Sequence, residues 1–567
     1  MKKVVLSFSA AIVFSLPSIA QTWAFAKLDI NSVSAGVNSN GDLFWDYSSA
    51  QFAVPQDSTT NVMFAGAMWI GGLDASANLH LGAQTYRQTG SDFYPGPVMN
   101  SSSYSAANDV AWNKIWKINK STIDTFLMWR ANPGNFPGYV IPPSITSWPG
   151  NGDTQQGQAS QLASFVDVNG DNVYDPNSGD YPCIKGDQAL LIIFNDNRNT
   201  HGETGGAGMG IEVHLMLYAY SAPDTWLDST IFSNYKIYNR SSSTYTDSYI
   251  GMFHDFDIGA YNDDYVGCDV ARNIAYAYNG DANDGFSATP TGGTFGANPP
   301  AEGFMFLAGP LADVNDGIDN DRDGTIDEPG ETCLMNHHVF YNNDFSSTGN
   351  PVTALNYYNY MQAYWVDGTP VTYGGNGYGG TVSADFMFPG TTDPQGWGTN
   401  FVPQVAWDEV TSGNVPSDRR SLASSGPFTF EPGSMECIDY AYVYGRGTNG
   451  PLSSVAVMQT NADSARSFYL GNNPCTCDPN PLGISEQQNA VVGIYPNPSS
   501  DNVNIICGDN ATGATIEFVD VHGRVVKTAT VLSGNSAVVD IADLSAGIYL
   551  VRINKASVVL TGKFIRN

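Results

Sequence analysis

Two neighbouring stretches of the chain decide its fold class: Ile211-Glu-Val-His-Leu-Met-Leu-Tyr-Ala-Tyr220 and Thr230-Ile-Phe-Ser-Asn-Tyr-Lys-Ile-Tyr-Asn239. Both are apolar or alternating runs rich in β-branched and aromatic residues, and turn-forming residues bound them, which is typical of β-strands. Similar runs recur at residues 61–73, 189–194, 249–257 and 438–444. The pattern predicts a mostly β protein whose body is a multi-domain β-sandwich.

The segments around these runs give two further predictions. Residues 230–239 and 249–257 are joined by a polar stretch, which indicates a β-hairpin with a long loop. Helix signals are few. Ser121, followed by Asp124, indicates the cap of a short helix that ends at Ala131, and residues 453–469 form the best amphipathic candidate.

The length and charge of the chain exclude some classes of protein. Its 567 residues suffice for several domains with a sizeable core. The 55 acidic residues outnumber the 24 basic ones, so the formal net charge is −31. A nucleic-acid surface needs a basic stripe that neutralises phosphates, so we expect no nucleic-acid partner.

The first 20 residues have the pattern of a secretory signal peptide. Lys2 and Lys3 precede an apolar run over residues 4–16, and Ser18-Ile-Ala20 is a small-x-small cleavage signal. The alternative is a membrane anchor, but the apolar run is shorter than the roughly 20 residues that a helical span needs. We expect cleavage before Gln21.

The other end of the chain differs in composition from the body at residues 21–471. Residues 472–490 form a Pro-containing linker, and residues 491–567 consist of short alternating runs separated by turn residues. A stretch of this length and pattern predicts a small C-terminal β-sandwich.

Four sequence blocks in this tail carry a resemblance: Ile494-Tyr-Pro-Asn-Pro498, Val521-His-Gly-Arg-Val-Val526, Asp543-Leu-Ser-Ala-Gly-Ile-Tyr-Leu-Val-Arg-Ile553 and Lys563-Phe564. In order and spacing they resemble the type A C-terminal sorting domain found on cargo of the type IX secretion system of Bacteroidota. The resemblance implies an immunoglobulin-like fold and recognition of the tail by the type IX secretion machinery at the outer membrane. It also implies a secreted protein, extracellular or attached to the outer cell surface, often with the tail removed and the body joined to lipopolysaccharide.

The acidity of the chain belongs to the body. The tail contains six acidic and six basic residues, and the signal peptide carries two lysines, so residues 21–490 have a net charge of −33. Much of this charge lies in loops with a regular spacing.

The first such loop is Asp319-Asn-Asp-Arg-Asp-Gly-Thr-Ile-Asp327, with carboxylates at positions 1, 3, 5 and 9 around a glycine turn. Calcium takes six to eight hard oxygen ligands, which alternate residues of such a loop supply. Position 12 is Gly330, so Glu328 or Glu331 would close the site. With the preceding turn, the segment is similar to a thrombospondin type 3 repeat, and we predict calcium ligands at Asp313, Asn315, Asp319, Asp321, Asp323, Thr325, Asp327 and Glu328.

A second loop, Asp167-Val-Asn-Gly-Asp-Asn-Val-Tyr-Asp175, repeats the spacing and is similar to dockerin-type loops. Asn172 replaces the turn glycine, and asparagine tolerates the left-handed conformation that this position requires. The predicted calcium ligands are Asp167, Asn169, Asp171, Val173, Asp175 and Asp180. For both loops, the alternative is a solvated Asp/Asn/Gly turn.

A third acidic group is less regular. Alternation along residues 249–257 places Asp255 and Asp257 on one strand face and His254 on the other, so we expect His254 to be buried in the core. Together with Asp263, Asp264 and Asp269, the first two could form a metal site, a plain turn or a carboxylate pair for acid–base chemistry. We favour a metal site or a plain turn over a carboxylate pair for acid–base chemistry.

Six cysteines outside the tail allow 15 disulfide pairings in an exported protein: Cys183, Cys268, Cys333, Cys437, Cys475 and Cys477. Cys507 lies in a predicted tail strand, where we expect a small buried hydrophobe.

The body also resembles a broad group of uncharacterised type IX cargo proteins, over residues 64–73, 83–87, 92–97, 148–153, 264–269, 418–420 and 424–428. This resemblance implies kinship and no particular reaction. The chain contains no H-E-x-x-H, G-x-S-x-G or Walker motif.

Two functions follow. The favoured one is a non-enzymatic, calcium-stabilised surface protein, adhesive or structural, that contacts a glycan, another surface polymer or a second copy of itself. The rival is a secreted hydrolase acting on polysaccharide or protein, with Asp255, Asp257 and Asp264 as candidate carboxylates.

Overall fold

The computed structural model describes residues 23–86, 90–285, 293–471, 493–495, 499–506, 513–519, 524–531, 536–555 and 558–566. The chain divides into two compact units between residues 477 and 478. The predicted signal peptide and the predicted linker lie outside the described residues. Among the helices that are described, none has the length and apolar composition that crossing a membrane requires.

The described part of the body is built from strands and a few helices. In chain order, the strands are β1 (Phe25–Leu28), β2 (Ser34–Asn38), β3 (Phe52–Ala53), β4 (Asn61–Met63), β5 (Ala65–Leu73), β6 (Leu79–Gly82), β7 (Tyr94–Pro95), β8 (Trp116–Asn119), β9 (Phe165–Val166), β10 (Tyr181–Pro182), β11 (Gln188–Asn195), β12 (Ile211–Ala219), β13 (Thr230–Asn239), β14 (Tyr245–Asp255), β15 (Asp264–Asp269), β16 (Ile274–Asn279), β17 (Asn283–Asp284), β18 (Gly296–Ala297), β19 (Ala301–Ala308), β20 (His337–Asn342), β21 (Arg419–Phe430) and β22 (Met435–Gly445). The helices are α1 (Ala106–Trp112), α2 (Lys120–Ala131), α3 (Pro143–Thr146), α4 (Ala354–Met361) and α5 (Pro451–Gly471).

A nine-stranded antiparallel sheet forms the centre of the body. Its order is β15-β16-β19-β22-β13-β12-β11-β7, with β8 also paired to β11. Alternate residues of β12 enter different cores: Val213 and Leu215 lie in one, and Met216 and Tyr218 lie in the other. The sheet is therefore buried on both faces, which explains the near-continuous apolar runs of its strands.

A five-stranded sheet, β20-β21-β14-β5-β6, packs on one of these faces. His254 of β14 points into the interface, where its ring lies 4.3 Å from Phe304 and 5.7 Å from Tyr442 of the larger sheet. Burial lowers the pKa of His254 to about 3. The predictions of a β-sandwich and of a buried His254 are confirmed.

Helix α5 and the segment that contains α2 and α3 cover the other face of the large sheet. Val455, Met458, Ala462 and Ala465 of α5 are buried there. The helix predicted at 453–469 is thus present. The cap predicted at Ser121 is wrong, because α2 begins at Lys120 directly after the extended Asn119, and Ser121 already lies in its first turn.

The predicted hairpin between residues 230–239 and 249–257 is also wrong. β13 pairs with β12 and β22, whereas β14 pairs with β5 and β21 in the other sheet. A strand has only two edges, and both edges of β13 are occupied, so the following chain crosses to the second layer. β14 ends at Asp255, which leaves Asp257 beyond the strand.

The run predicted as one strand at 61–73 is divided into β4 and β5. Phe64 separates them, and its backbone N–H donates to the Asp255 carbonyl at 2.7 Å. This contact holds Phe64 next to the end of β14.

The described cysteines of the body differ in state. Cys183 is disulfide-bonded, whereas Cys268, Cys333 and Cys437 are free thiols. Cys475, Cys477 and Cys507 also lie outside the described residues.

The tail is a small sandwich of two antiparallel sheets. Its strands are β23 (Gly493–Tyr495), β24 (Asn502–Ile506), β25 (Thr515–Val519), β26 (Val525–Thr530), β27 (Ser536–Asp540), β28 (Gly547–Lys555) and β29 (Val558–Arg566). One sheet has the order β23-β24-β27, the other β26-β25-β28-β29. Their facing side chains include Val503, Ile516, Phe518, Val551 and Phe564, all buried. The predicted immunoglobulin-like β-sandwich is confirmed.

A buried charged group ties the strand ends of the body together. The His201 ring nitrogens lie 2.7 Å from the Leu81 carbonyl oxygen and 2.8 Å from that of Asp196. A carbonyl oxygen can only accept, so both nitrogens must donate, which requires the imidazolium form. Burial by itself lowers the pKa of His201, but the carboxylates of Asp196 and Asp92, within 3.8 and 3.6 Å, and the two carbonyl contacts together raise it by more.

We predict that His201→Gln destabilises the body in a pH-dependent manner. Because the folded pKa of His201 is raised, its stabilisation is complete below the ordinary histidine pKa of about 6.5 and is lost as the pH rises through the folded value. The pKa of Asp196 is also raised, by burial, so its contribution to stability also falls as the pH rises. Urea titrations should show a larger loss of unfolding free energy at pH 5.5 than at pH 9. An equal loss at both values would contradict the charged form.

Candidate metal loops and an acidic cleft

The loop between β19 and β20 brings several predicted calcium ligands together. Carboxylate oxygens of Asp319, Asp321 and Asp323 lie within 4.8 Å of one another. Carboxylate oxygens of Asp321, Glu328 and Glu331 form a second group and also lie within 4.8 Å of one another. Asp321 is thus shared by two clusters, and both alternatives for the closing carboxylate meet in the second one.

Backbone hydrogen bonds determine this convergence. Asp319 accepts from the Gly324 N–H at 3.0 Å, and Asp321 accepts from the Asp323 N–H at 3.0 Å. Gly324 has φ +97°, a conformation that only glycine adopts without strain. The alternating acids therefore turn toward one point because the chain wraps tightly around them.

Two carboxylate oxygens of these clusters are buried without a hydrogen-bond partner among the described residues: Asp319 Oδ1 and Glu328 Oε2. Burial raises the pKa of Asp321, and the charges of Asp323 and Asp319 raise it further. Such mutual repulsion is the condition that a bound divalent cation relieves.

Arg322 anchors the loop to the rest of the body. Its guanidinium carbon lies 5.5 Å from the Phe386 ring and 5.8 Å from the Trp397 ring, and its NH2 group donates to Asn273. Burial lowers the pKa of Arg322 to about 10. This half-buried side chain connects the loop to the segment that contains Phe386 and Trp397.

Other predicted ligands of this loop have structural contacts. Asp313 accepts from the backbone N–H and the hydroxyl of Thr429, both at 2.8 Å. Asp327 accepts from the Gly317 N–H at 3.2 Å, and the Thr325 N–H donates to Asp323 at 2.8 Å. Asn315 has φ +62° in the preceding turn. None of these four residues belongs to the two carboxylate clusters of the described chain.

The loop at 167–180 is closed by its own backbone. Asp167 accepts from Gly170 and Asn172, both at 2.7 Å, and Asp171 accepts from Val173 at 2.8 Å. Asn172 has φ +61°, the left-handed conformation expected at this position.

Other predicted ligands of the loop at 167–180 also accept hydrogen bonds from its backbone N–H groups. Asp180 accepts from the N–H groups of Val168 and Asp175, each at 2.9 Å, and Asn169 accepts from the Asp171 N–H at 3.2 Å. Within the described chain, no three carboxylates of this loop meet as they do at 319–331. Calcium at this loop stays a prediction.

The third acidic group forms part of a surface cleft of about 600 Å³ at the ends of β14 and β21. In this strand pair Asp255 stands directly opposite Arg420. Arg420 binds Asp255 Oδ2 at 3.1 Å, forms an ion pair with Asp418 and donates to the Tyr86 hydroxyl at 2.5 Å. Its side chain is only 4% exposed, so these contacts hold the guanidinium in one orientation.

Asp257 completes the cluster. Carboxylate oxygens of Asp255, Asp257 and Asp418 lie within 4.8 Å of one another. Asp257 Oδ1 is buried and has no hydrogen-bond partner among the described residues. Burial, followed by the charges of Asp255 and Asp418, raises the pKa of Asp257 well above the usual value. Asp257 therefore retains its proton to a higher pH than a free carboxyl does.

The other acids predicted for this group lie elsewhere. Asp264 accepts from the Ile258 N–H at 2.8 Å, Asp263 accepts from the Gly285 N–H at 3.0 Å, and Asp269 pairs with Arg272 at 3.0 Å. These three carboxylates fasten loops and strand ends. Asp418 and Arg420 were not predicted as site residues, because they lie more than 160 positions from Asp255 and only sheet pairing brings them together.

Comparison with known proteins identifies the tail. Residues 493–567 match the family model of the secretion system C-terminal sorting domain. The chain is therefore cargo of the type IX secretion system, and its tail is the part that this machinery recognises. The protein is exported and is either secreted or attached to the outer cell surface.

The other comparisons concern the chain as a whole. No curated protein matches the chain. One solved structure, a polysaccharide lyase, aligns with a TM-score of 0.18 and 7% identity, covering 72% of this chain and 39% of the lyase chain. A likeness this weak supports no statement about fold or activity.

We predict that Arg420→Gln lowers the free energy of unfolding by about 3–5 kcal/mol at pH 7, because it leaves two carboxylates in a desolvated cluster without their counter-charge. Urea titration measures this loss, which should shrink near pH 3 as the carboxylates take up protons. Arg446→Gln is the matched control, since Arg446 is exposed and donates to the carbonyl oxygens of Asn298 and Phe295. Equal losses in the two variants would contradict the assigned role of Arg420.

Proposed function

We propose that this exported chain is a calcium-stabilised, non-enzymatic surface protein, adhesive or structural, whose body binds a glycan or another surface polymer. The observation that supports it best is the pair of carboxylate clusters at 319–331 that share Asp321. Self-association is a further contact that an adhesive protein of this kind would use.

The chemistry of the clusters favours calcium among common ions. Every side-chain ligand is a carboxylate oxygen, and calcium prefers hard oxygen ligands in flexible, multi-residue loops. Extracellular modules bind calcium in about the 10⁻⁴–10⁻³ M range, which suits a protein outside the cell. Bound ions would also offset part of the −33 charge that residues 21–490 carry.

The position of the loop gives the ion a structural role. Arg322 fastens one part of it between Phe386 and Trp397, and Asp313 fastens another part to Thr429 of β21. Calcium would therefore stiffen a loop that already contacts the five-stranded sheet at Thr429 and the segment that contains Phe386 and Trp397. Stability of this kind suits a protein that works without chaperones at a cell surface.

We predict that EDTA lowers the melting temperature of the protein by a few degrees. A ligand at tenfold its Kd contributes about 1.4 kcal/mol per site to folding stability. Asp321→Asn should abolish most of the calcium-dependent shift, because Asp321 serves both clusters. The control is Asp57→Asn, an exposed aspartate outside every cluster, which should keep the full shift. A melting curve unchanged by EDTA would refute the calcium proposal.

A second candidate function is hydrolysis of polysaccharide or protein. The acidic cleft favours it, because two carboxylates of different environment, one held by Arg420 and one with a raised pKa, can act as a base and an acid. Asp264, the third carboxylate proposed for this role, instead accepts from the Ile258 N–H, so the candidate pair is Asp255 and Asp257.

We expect the purified protein, with calcium, to release no reducing ends from polysaccharides and no peptides from casein. Turnover of any polymer that Asp255→Asn abolishes would establish the hydrolase instead. Asp257→Asn is the second variant, since it alters the same pair without removing the partner of Arg420.

A further inference from the structure

We infer that the acidic cleft at the ends of β14 and β21 is the place where the body binds polysaccharide, and that its ligand is a neutral, hydroxyl-rich chain. This inference rests on the glycan-binding role proposed above and adds the site and the ligand class.

The size and lining of the cleft match such a ligand. Its volume of about 600 Å³ is that of a small-molecule site. Aromatic rings of Phe64, Tyr86 and Tyr261 and the polar side chains of Asn61 and Asn343 line it together. A sugar ring presents apolar C–H faces and a rim of hydroxyls, so it needs apolar surface and hydrogen-bonding groups at the same site.

The aromatic side of the cleft is rigid before any ligand binds. The Phe64 and Tyr86 rings pack edge to face at 5.4 Å, and Trp45 contacts each of them at 6.3 Å. The Tyr86 hydroxyl is held by Arg420 at 2.5 Å. Binding on a surface that is already ordered costs little conformational entropy, which favours affinity.

The polar side offers a hydrogen-bonding group in a fixed position. Asp257 Oδ1 is buried in the cluster without a partner among the described residues, and a buried polar atom left in this state costs free energy. A sugar hydroxyl can donate to this oxygen, or accept from it when the carboxyl is protonated. A ligand hydroxyl would therefore satisfy Asp257 in either protonation state.

The charge of the cleft selects among polysaccharides. Three carboxylates face one guanidinium, so the lining is acidic whether or not Asp257 is ionised. An acidic polymer would bring like charges together at short range, which costs free energy and discriminates against it. A neutral polymer has no such penalty.

The test is binding of the full exported chain to galactomannan and xyloglucan as neutral polymers and to polygalacturonate as the acidic one, by affinity electrophoresis and calorimetry. We expect binding to a neutral polymer and none to polygalacturonate. Tyr261→Ala and Asp257→Ala should each weaken binding at least about tenfold, whereas Tyr261→Phe, which keeps the ring, should bind normally. Tyr364→Ala is the control, because Tyr364 is 42% exposed and lies outside the cleft. Melting curves establish that each variant is folded.

The outcomes separate this inference from the proposed function. Normal binding by both cleft variants would overturn the site and leave the glycan-binding role intact. Failure of the wild type to bind any polymer would overturn both, while the EDTA experiment still tests calcium stabilisation. Preference for polygalacturonate would overturn the ligand class.

Two further results are informative. Terbium luminescence that Asp257→Ala abolishes and Asp321→Asn spares would show a cation site in the cleft and overturn the inference. Release of reducing ends from a neutral polymer, lost in Asp257→Ala, would support the site and ligand class and overturn the non-enzymatic role.

Discussion

Burial of the nine-stranded sheet on both faces is the constraint on which the rest of the body depends. It forces apolar side chains onto both sides of the central strands, and a charged group buried there is costly unless it is paired. Lys185 and Asp439 meet this requirement at 3.1 Å, with the Tyr469 hydroxyl donating to Asp439 at 2.8 Å. Such pairs tie α5 to the sheet and to the segment before β11, so the covering layers cannot shift independently.

The two-layer arrangement also determines where ligands have access. The inner face of the five-stranded sheet is covered by the larger sheet, and its outer face carries Trp69 and Phe253 beneath Tyr357 of α4. The acidic cleft lies at the ends of β14 and β21. The register that sets Asp255 opposite Arg420 puts a charged pair at that point, and the rigid layers hold the cleft around it.

The acidic residues of the body serve three physical purposes. Some accept backbone N–H groups and replace regular secondary structure in loops, as Asp167, Asp180 and Asp313 do. Others crowd around Asp321, whose pKa is raised by burial and by the neighbouring charges. Those of the cleft share a single buried arginine. Net charge alone does not distinguish these uses, because each depends on the atoms that surround the carboxylate.

The sequence by itself determined the features that depend on neighbouring residues: the strand-rich composition, the sorting tail, α5, and the loops whose alternating acids turn around Gly324 or Asn172. Spacing along the chain suffices there, because the interacting groups are a few residues apart. Only the tertiary structure decided that β13 and β14 belong to different sheets, that Glu331 joins Asp321, and that Asp418 and Arg420 complete the cleft. Pairing between distant strands is set by which edges and faces remain to be covered, and this depends on the whole core rather than on any local pattern.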